Sequence, residues 1–413
     1  MHTTLAAPRR TTLVREAGFA YFPIALIARL PFAMMVVGIL TLVVSARGSL
    51  ALGGLTSAMT GLGTALVGPL LGAAADRFGQ RRVLLLSGTA NSLLLLAIAW
   101  LAFASVPDAA LLAVAFAIGA SMPQVAPLSR SRLVGIIGRT FSKDRRASVV
   151  GGTMAYESAA DEIVFVFGPV IVGLLATTLS PAAPVIGAAV LALVFVSAFA
   201  LHPTAAVGAA AGGDKPAQAP AKELARPALI TTVLGALGMG LFFGAMLTSL
   251  TAFMAERGVP EQAGLVYGAM GIGSAALALG VALFPARFTL PARWVVFAGI
   301  LTAGTLALPF ATSVGAMTLC LLVIGIGIGP TLVTQYSLAA ARSPLGRSAT
   351  VMTMLGSAVV VGQSAASALT GLLAEASGAS AALLAPVAAA LVVLAAGVAN
   401  VPLSRVRRAA LQG

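Results

Sequence analysis

Cysteine, histidine and charge are scarce in this chain. A single cysteine, Cys320, among 413 residues excludes a disulfide within one chain and any zinc site built on paired thiolates. The two histidines, His2 and His202, are terminal and at the edge of an apolar run, so histidine catalysis and histidine metal ligation have nothing to build on. No G-x-x-x-x-G-K-[ST] loop occurs, which disfavours an ATP-driven machine. No catalytic residue, metal site or cofactor is predicted, and the chain is not read as an enzyme. Charged residues make up 9%, against about 25% in soluble domains. What fills the space is apolar: 59% of the residues are hydrophobic and the mean hydropathy is +1.02. The class is an integral membrane protein in contact with lipid. The +13 net charge does not point to nucleic acid, because the bases recur in short clusters between apolar runs.

Crossing about 30 Å of hydrocarbon takes about 20 residues of helix. Twelve runs of that kind are expected, near 17–45, 50–75, 82–105, 109–130, 147–178, 182–203, 228–255, 260–285, 292–312, 314–340, 347–376 and 380–402. Arg9, Arg10 and Arg15 precede a full-length apolar run rather than a short one with a cleavage site, so the first run is read as a span. Between the sixth and seventh runs, residues 204–227 are rich in Ala, Gly, Pro and charge, cannot bury a core, and read as a linker. The expected organisation is a six-helix bundle over 1–203, a linker over 204–227, and a second bundle over 228–413. Placing both termini in the cytoplasm gathers nearly every Lys and Arg, including Arg77, Arg81, Arg82, Arg130, Arg132 and Arg342, on the cytoplasmic side. Only Arg47 and Arg257 remain outside, with Arg29 fitting neither face.

The halves resemble each other. A shift of 210 residues lays ARGSLALGGLTSAMTGLGTAL, from Ala46, on ERGVPEQAGLVYGAMGIGSAA, from Glu256, with Arg47, Gly48, Gly54, Leu55, Gly61, Gly63 and Ala65 meeting identical residues. A parallel repeat of this kind is expected when two bundles face each other about a site in mid-membrane.

The fifth run carries Glu157, Asp161 and Glu162 in otherwise apolar sequence. An acid at the bilayer centre costs about 2.5–3.5 kcal/mol, so these groups must face the protein interior, where ionisable residues mark an ion or substrate pathway. Glu157 and Asp161 are one helical turn apart and share a face with Val164 and Gly168. Arg29 lies about as deep in the first run as Glu157 does in the fifth, so the two are expected to be level. Three acids against one arginine leave negative charge unpaired, and at least one acid is expected to hold a proton near neutral pH. A static buried ion pair is the alternative.

The segment GAAADRFGQRR, Gly72 to Arg82, closely resembles the cytoplasmic loop signature of the major facilitator superfamily. The resemblance implies an all-α fold of twelve transmembrane helices in two pseudo-symmetric bundles, working by rocker-switch transport, with the first and fifth helices bordering the cavity. The gate motif it implies comprises Gly72, Asp76, Arg77, Gly79, Arg81 and Arg82. Asp76 is expected to face the N-terminus of the eleventh span near Arg347 and Ser348, and Arg77 to pair with an acid. FGPVIVG, Phe167 to Gly173, is similar to the antiporter motif of drug and metabolite exporters: Gly168, Pro169 and Gly173 match, while Val164 and Val172 stand where glycines are usual. The fourth-span arginine of many proton-coupled exporters is not found, since Ala115 stands at its place.

Candidate substrate-lining residues are Asn91, Gln124, Tyr156, Tyr267, Gln335, Tyr336 and Gln363, each equally suited to interhelical hydrogen bonding. So few polar groups suit an apolar or amphipathic solute, and aromatics at 6% are thin for a sugar site. The expectation is a monomeric exporter in a bacterial cytoplasmic membrane that moves a small organic molecule out against protons. Sugar or metabolite symport, facilitation, lipid flipping and a non-transporting scaffold are the alternatives.

Overall fold

The computed structural model describes residues 12–207, 218–258, 263–285 and 287–409. The middle of the expected linker, 208–217, lies outside the described residues. In hydrocarbon every backbone polar group needs a partner within the chain, which leaves helix as the economical conformation for these apolar runs. The described secondary structure is helical throughout: α1 Leu13–Ala17, α2 Tyr21–Ile27, α3 Leu30–Arg47, α4 Leu50–Phe78, α5 Gln80–Leu101, α6 Asp108–Ala120, α7 Val125–Thr140, α8 Lys143–Thr178, α9 Ala183–Leu191, α10 Ser197–Leu201, α11 Pro227–Ala255, α12 Ala263–Gly280, α13 Leu290–Leu306, α14 Val314–Arg342, α15 Ser348–Ala382 and α16 Leu384–Ala409. Eleven helices or stacked helix runs among the described residues are long and apolar enough to cross a membrane, and the shorter apolar helix Val266–Gly280 stands where the eighth span is expected.

Two spans are broken in mid-course, and both breaks position the site. The first divides into α2 and α3 around Ala28 and Arg29, because Pro31 has no N–H to give to the carbonyl four residues back and its ring crowds that carbonyl. The fourth divides into α6 and α7 across Ser121–Gln124, where Pro123 interrupts the ladder. This corrects the expected fourth span. It does not stop at residue 130; with the break it runs over Asp108–Thr140 and takes Arg130 and Arg132 inside.

Within each half, small residues let helices touch. A Cβ on Gly119 would collide with the Thr60 carbonyl of α4, and one on Gly329, 210 residues later, with the Ser274 carbonyl of α12. Other contacts repeat at the same interval. Arg47 donates to the Ala102 carbonyl at 2.8 Å and Arg257 to that of Thr312 at 3.1 Å, each tying off the loop at the end of the bundle away from Asp76. The halves meet where α4 lies along α15 and where α8 packs on α12 and α14. Met154 and Ala155 of α8 enter the apolar core of the second half.

Candidate functional site

Arg29 sits at the α2–α3 break, where the lost helical turn turns its guanidinium toward α8. One Nη donates to Glu157 at 2.5 Å; the other reaches Asp161 at 3.0 Å and the Glu157 carbonyl at 3.2 Å. From the second turn of α7, Arg130 donates to the other Asp161 oxygen at 2.5 Å. Asp161 therefore bridges two arginines. Glu157, fully buried, also accepts from the Ser129 hydroxyl at 2.9 Å, and Ser129 is 2.7 Å from the Tyr21 hydroxyl. On its open side the Arg130 guanidinium lies 3.9 Å from the centre of the Tyr336 ring, which belongs to α14 in the other half.

The expected balance of three acids against one arginine is corrected by Arg130. The described site holds two carboxylates and two guanidiniums, so no proton is required for neutrality. Glu162 lies on α8, but its side chain is outside the described residues. Both arginines are more than nine-tenths buried, and the Nε of each has no hydrogen-bond partner. Buried charges are tolerated when paired or fully hydrogen-bonded, and removing one partner of a pair leaves the other stranded.

Between the halves is a cavity of about 100 Å³. Arg29, Arg130 and Asp161 reach it from one half and Tyr336 from the other; Phe32 and Phe165, edge-on at 5.7 Å, form part of its apolar wall. Gln124 lines it as well, at the start of α7. Among the described residues Asp161 is the acid that reaches this space, with 24% of its side chain exposed, whereas Glu157 has none.

The other expected lining residues are elsewhere. Asn91 donates to the Ile118 carbonyl at 2.8 Å and to Ser121, tying α5 to the broken fourth span. Tyr156 packs edge-on against Phe22, and Tyr267 is half-buried against the apolar core of the second half. Gln335 is wholly buried, with neither amide atom partnered, close to Gly235. Gln363 presents its backbone to Gly244. Gly168 lies tight against Ala33 of α3 and a Cβ on Gly173 would meet nothing within 4 Å, while the Pro169 side chain is outside the described residues.

A second constellation joins the halves at one end of the bundle. Asp76 accepts from the backbone N–H groups of Ala349 at 3.1 Å and Thr350 at 2.8 Å, and from the Thr350 hydroxyl at 2.7 Å. These are the orphan donors of the first turn of α15, where the helix dipole also favours a negative charge. Gly72 abuts Thr353 on the same helix, and Gly79 turns the chain from α4 into α5 with φ +90°. Arg347 donates to the Ala219 carbonyl, pinning the described end of the expected linker beside this contact. Arg77, Arg81 and Arg82 are exposed. Among the described residues Arg77 has no acidic partner; it lies over the Phe78 ring at 5.3 Å.

Two further arginines assigned to the surface are buried. Arg132 donates to Gln80, to the Phe199 carbonyl at the end of the sixth span and to Thr204. Arg342, 210 residues on, donates to the Ala228 carbonyl, Thr232, Asn400 and Ser404. The uninterrupted helical pattern of SRSRLVGIIGRT after Pro127 is the signal that would have drawn Arg130 and Arg132 inward.

The comparisons agree with this architecture. The human organic anion transporter MFSD10 (TETRAN) superposes with a TM-score of 0.70 at 18% identity, over 94% of this chain and all of that one. A bacterial homologue of the iron transporter ferroportin in an outward-facing state gives 0.73 at 14%, over 96% and 100%, and a bacterial ferroportin homologue in an outward-facing state with soaked iron gives 0.70 at 15%, over 94% and 98%. At such identities the likeness speaks for the fold alone. No curated protein sequence matches the chain. A profile of the Major Facilitator Superfamily, however, matches residues 21–367, and with that span covered the chain belongs to the Major Facilitator Superfamily.

Proposed function

We propose that this secondary transporter, working by alternating access, couples the movement of a small apolar or amphipathic organic molecule to protons, with Asp161 as the group that loads and releases the proton. The observation that carries the reading is the position of Asp161: it bridges Arg29 and Arg130 and borders the cavity between the halves. A proton arriving there changes the net charge of a desolvated site by one, which is a large perturbation in a low-dielectric interior. Arg130 rests on Tyr336 of the opposite half, so a change in its pairing acts on both bundles at once. The solved neighbours are named for chemically different cargoes, an organic anion and iron, and do not choose between them. Export against proton entry is the direction that the FGPVIVG resemblance implies. The distribution of bases supports a bacterial cytoplasmic membrane with both ends of the chain inside, and the paired halves support a monomer as the working unit.

Proteoliposomes with an imposed pH gradient test the coupling. Wild-type protein is expected to drive net cargo movement with the gradient, and Asp161→Asn to lose that drive while still exchanging cargo across the membrane at equal pH. Gradient-driven accumulation at the wild-type rate in Asp161→Asn would overturn the assignment.

A further inference from the structure

Resting on Asp161 as the proton site, we infer that the cavity binds an organic anion, whose charged group takes the place of the Asp161 carboxylate at Arg130 when Asp161 is protonated, so that anion and proton occupy the site together. Three features of the site point the same way. First, among the described residues the positive groups outnumber the negative ones where the cavity can be reached. Arg29 and Arg130 both line it, whereas Asp161 is the acid that does so, Glu157 being sealed behind Arg29 and Ser129. Second, each guanidinium keeps an unpartnered buried Nε, so neither arginine has exhausted its donors. Third, the break at Ser121–Gln124 starts α7 at the cavity wall, where Gln124, Val125 and Ala126 line the space. In α7 the Val125 N–H donates to the Pro123 carbonyl at 2.9 Å and Pro127 has none, so this end offers an anionic group the Ala126 N–H and the helix dipole, as broken transmembrane helices do in mid-membrane.

Among the described residues, the groups facing Asp161 are Arg29 from the α2–α3 junction, Arg130 from α7, Glu157 and Tyr156 from its own helix and Tyr336 from α14. With both acids ionised their charges cancel, and the site offers an entering anion no net attraction beyond the helix end. Protonating Asp161 leaves Arg29 paired with Glu157 and Arg130 without a counter-ion, stacked on Tyr336 at the cavity wall. A cation in that position favours an anion, and a positively charged cargo is repelled by two arginines at close range. By linkage, the anion must then strengthen proton binding as much as the proton strengthens anion binding. The apolar walls around Phe32, Val164 and Phe165 select an anion with a hydrophobic body. For such a cargo the coupling is co-transport, the opposite sense to the export implied by FGPVIVG.

The test is binding of benzoate, with benzamide as its uncharged match, to purified full-length protein at about pH 5.5 and about pH 8, both above the ordinary carboxylate range, so that benzoate itself stays charged. Benzoate is expected to bind about tenfold tighter at the lower pH, within the about 5- to 150-fold range of coupled sites, with benzamide unmoved. Asp161→Asn is expected to bind benzoate tightly at both values, and Arg130→Gln to lose the preference for benzoate over benzamide. The Asn variant keeps the test decisive if Arg130→Gln does not fold. Equal binding of benzoate and benzamide, or benzoate binding that ignores pH, would sink the anion site even where a pH gradient still drives flux. Conversely, pH-dependent benzoate binding without gradient-driven flux would leave the anion site standing and remove the transport coupling.

Discussion

Replacing Asp76 by Asn keeps the size of the side chain and removes its charge, at a contact made only when the two halves are closed at that end. The carboxylate now accepts three hydrogen bonds, two from backbone N–H groups of α15 and one from the Thr350 hydroxyl. An amide can accept with its oxygen but presents N–H atoms to one of the backbone donors, so one bond becomes a clash of donors and the others lose their ionic character. Bonds to charged groups are worth about 1.5–3 kcal/mol and the helix-end interaction about 0.3–1 kcal/mol. Because Asn retains part of both, a loss of about 2 kcal/mol is expected for the closed arrangement, or about thirtyfold in the equilibrium between closed and open at this end. An ensemble closed at about 30:1 would move to near parity, a shift readable as two distances instead of one. Cys320 is replaced by Ala, and labels are placed through Lys143→Cys at the start of α8 and Leu345→Cys in the loop before α15, both exposed. Pulsed electron–electron distance measurement in lipid is expected to show a second, longer population in Asp76→Asn. An unchanged distribution would mean that the contact is not what holds this end shut.

Both acids of α8 balance the buried pair Arg29 and Arg130, so Glu157→Gln and Asp161→Asn are each expected to lower thermal stability by up to about 3–5 kcal/mol, seen as early unfolding in a melt, whereas loss of the response to a pH gradient is expected of Asp161→Asn alone. Arg29→Gln removes the guanidinium that Glu157 and Asp161 share and is expected to alter the pH profile of transport; an unchanged profile with poorer expression would assign Arg29 to packing alone. Gly119→Leu drives a side chain into the Thr60 carbonyl and is expected to cut the yield of folded protein sharply, while Gly138→Ala, which meets nothing within 4 Å, leaves it intact.

The membrane class, the helical bundle and the relation between the halves were legible because they rest on run length and on an interval of 210 residues that survives in many positions. Arg29 was legible for a related reason: a base ten residues into an apolar run has no other explanation. Arg130 was not. It stands about twenty residues into its run, where a hydrocarbon ruler ends, and a base at that place reads as a topology signal. Besides the helical run after Pro127, the break at Pro123 tells otherwise, because residues spent on a non-helical connection lengthen the chain needed to cross. The same ambiguity hid Arg132 and Arg342, which lie near helix ends but spend their donors on neighbouring helices. Tyr336 was one polar residue among several on Gly-rich helices, where apolarity on every side leaves no periodic stripe to say which face looks inward.

Two arginine contacts repeat at the interval of the duplication: Arg47 and Arg257 close loops at one end, and Arg132 and Arg342 bind the fourth helix of each half to its neighbours. These belong to the architecture, since each half needs them to stand. The residues of the cavity cluster do not repeat. Positions 210 beyond Arg29, Arg130, Glu157 and Asp161 hold Met239, Ala340, Ser367 and Gly371, and Asp76 answers to Ala286. Burying four charges in one half costs desolvation that the other half avoids, and it adds nothing that the apolar packing of the second half fails to provide. A feature that is expensive, confined to one copy of a duplicated fold, and placed where the copies face each other is best accounted for by work done between them. In that arrangement the second half supplies a surface, chiefly the Tyr336 ring and the first turn of α15, against which a change of charge in the first half can be registered as movement.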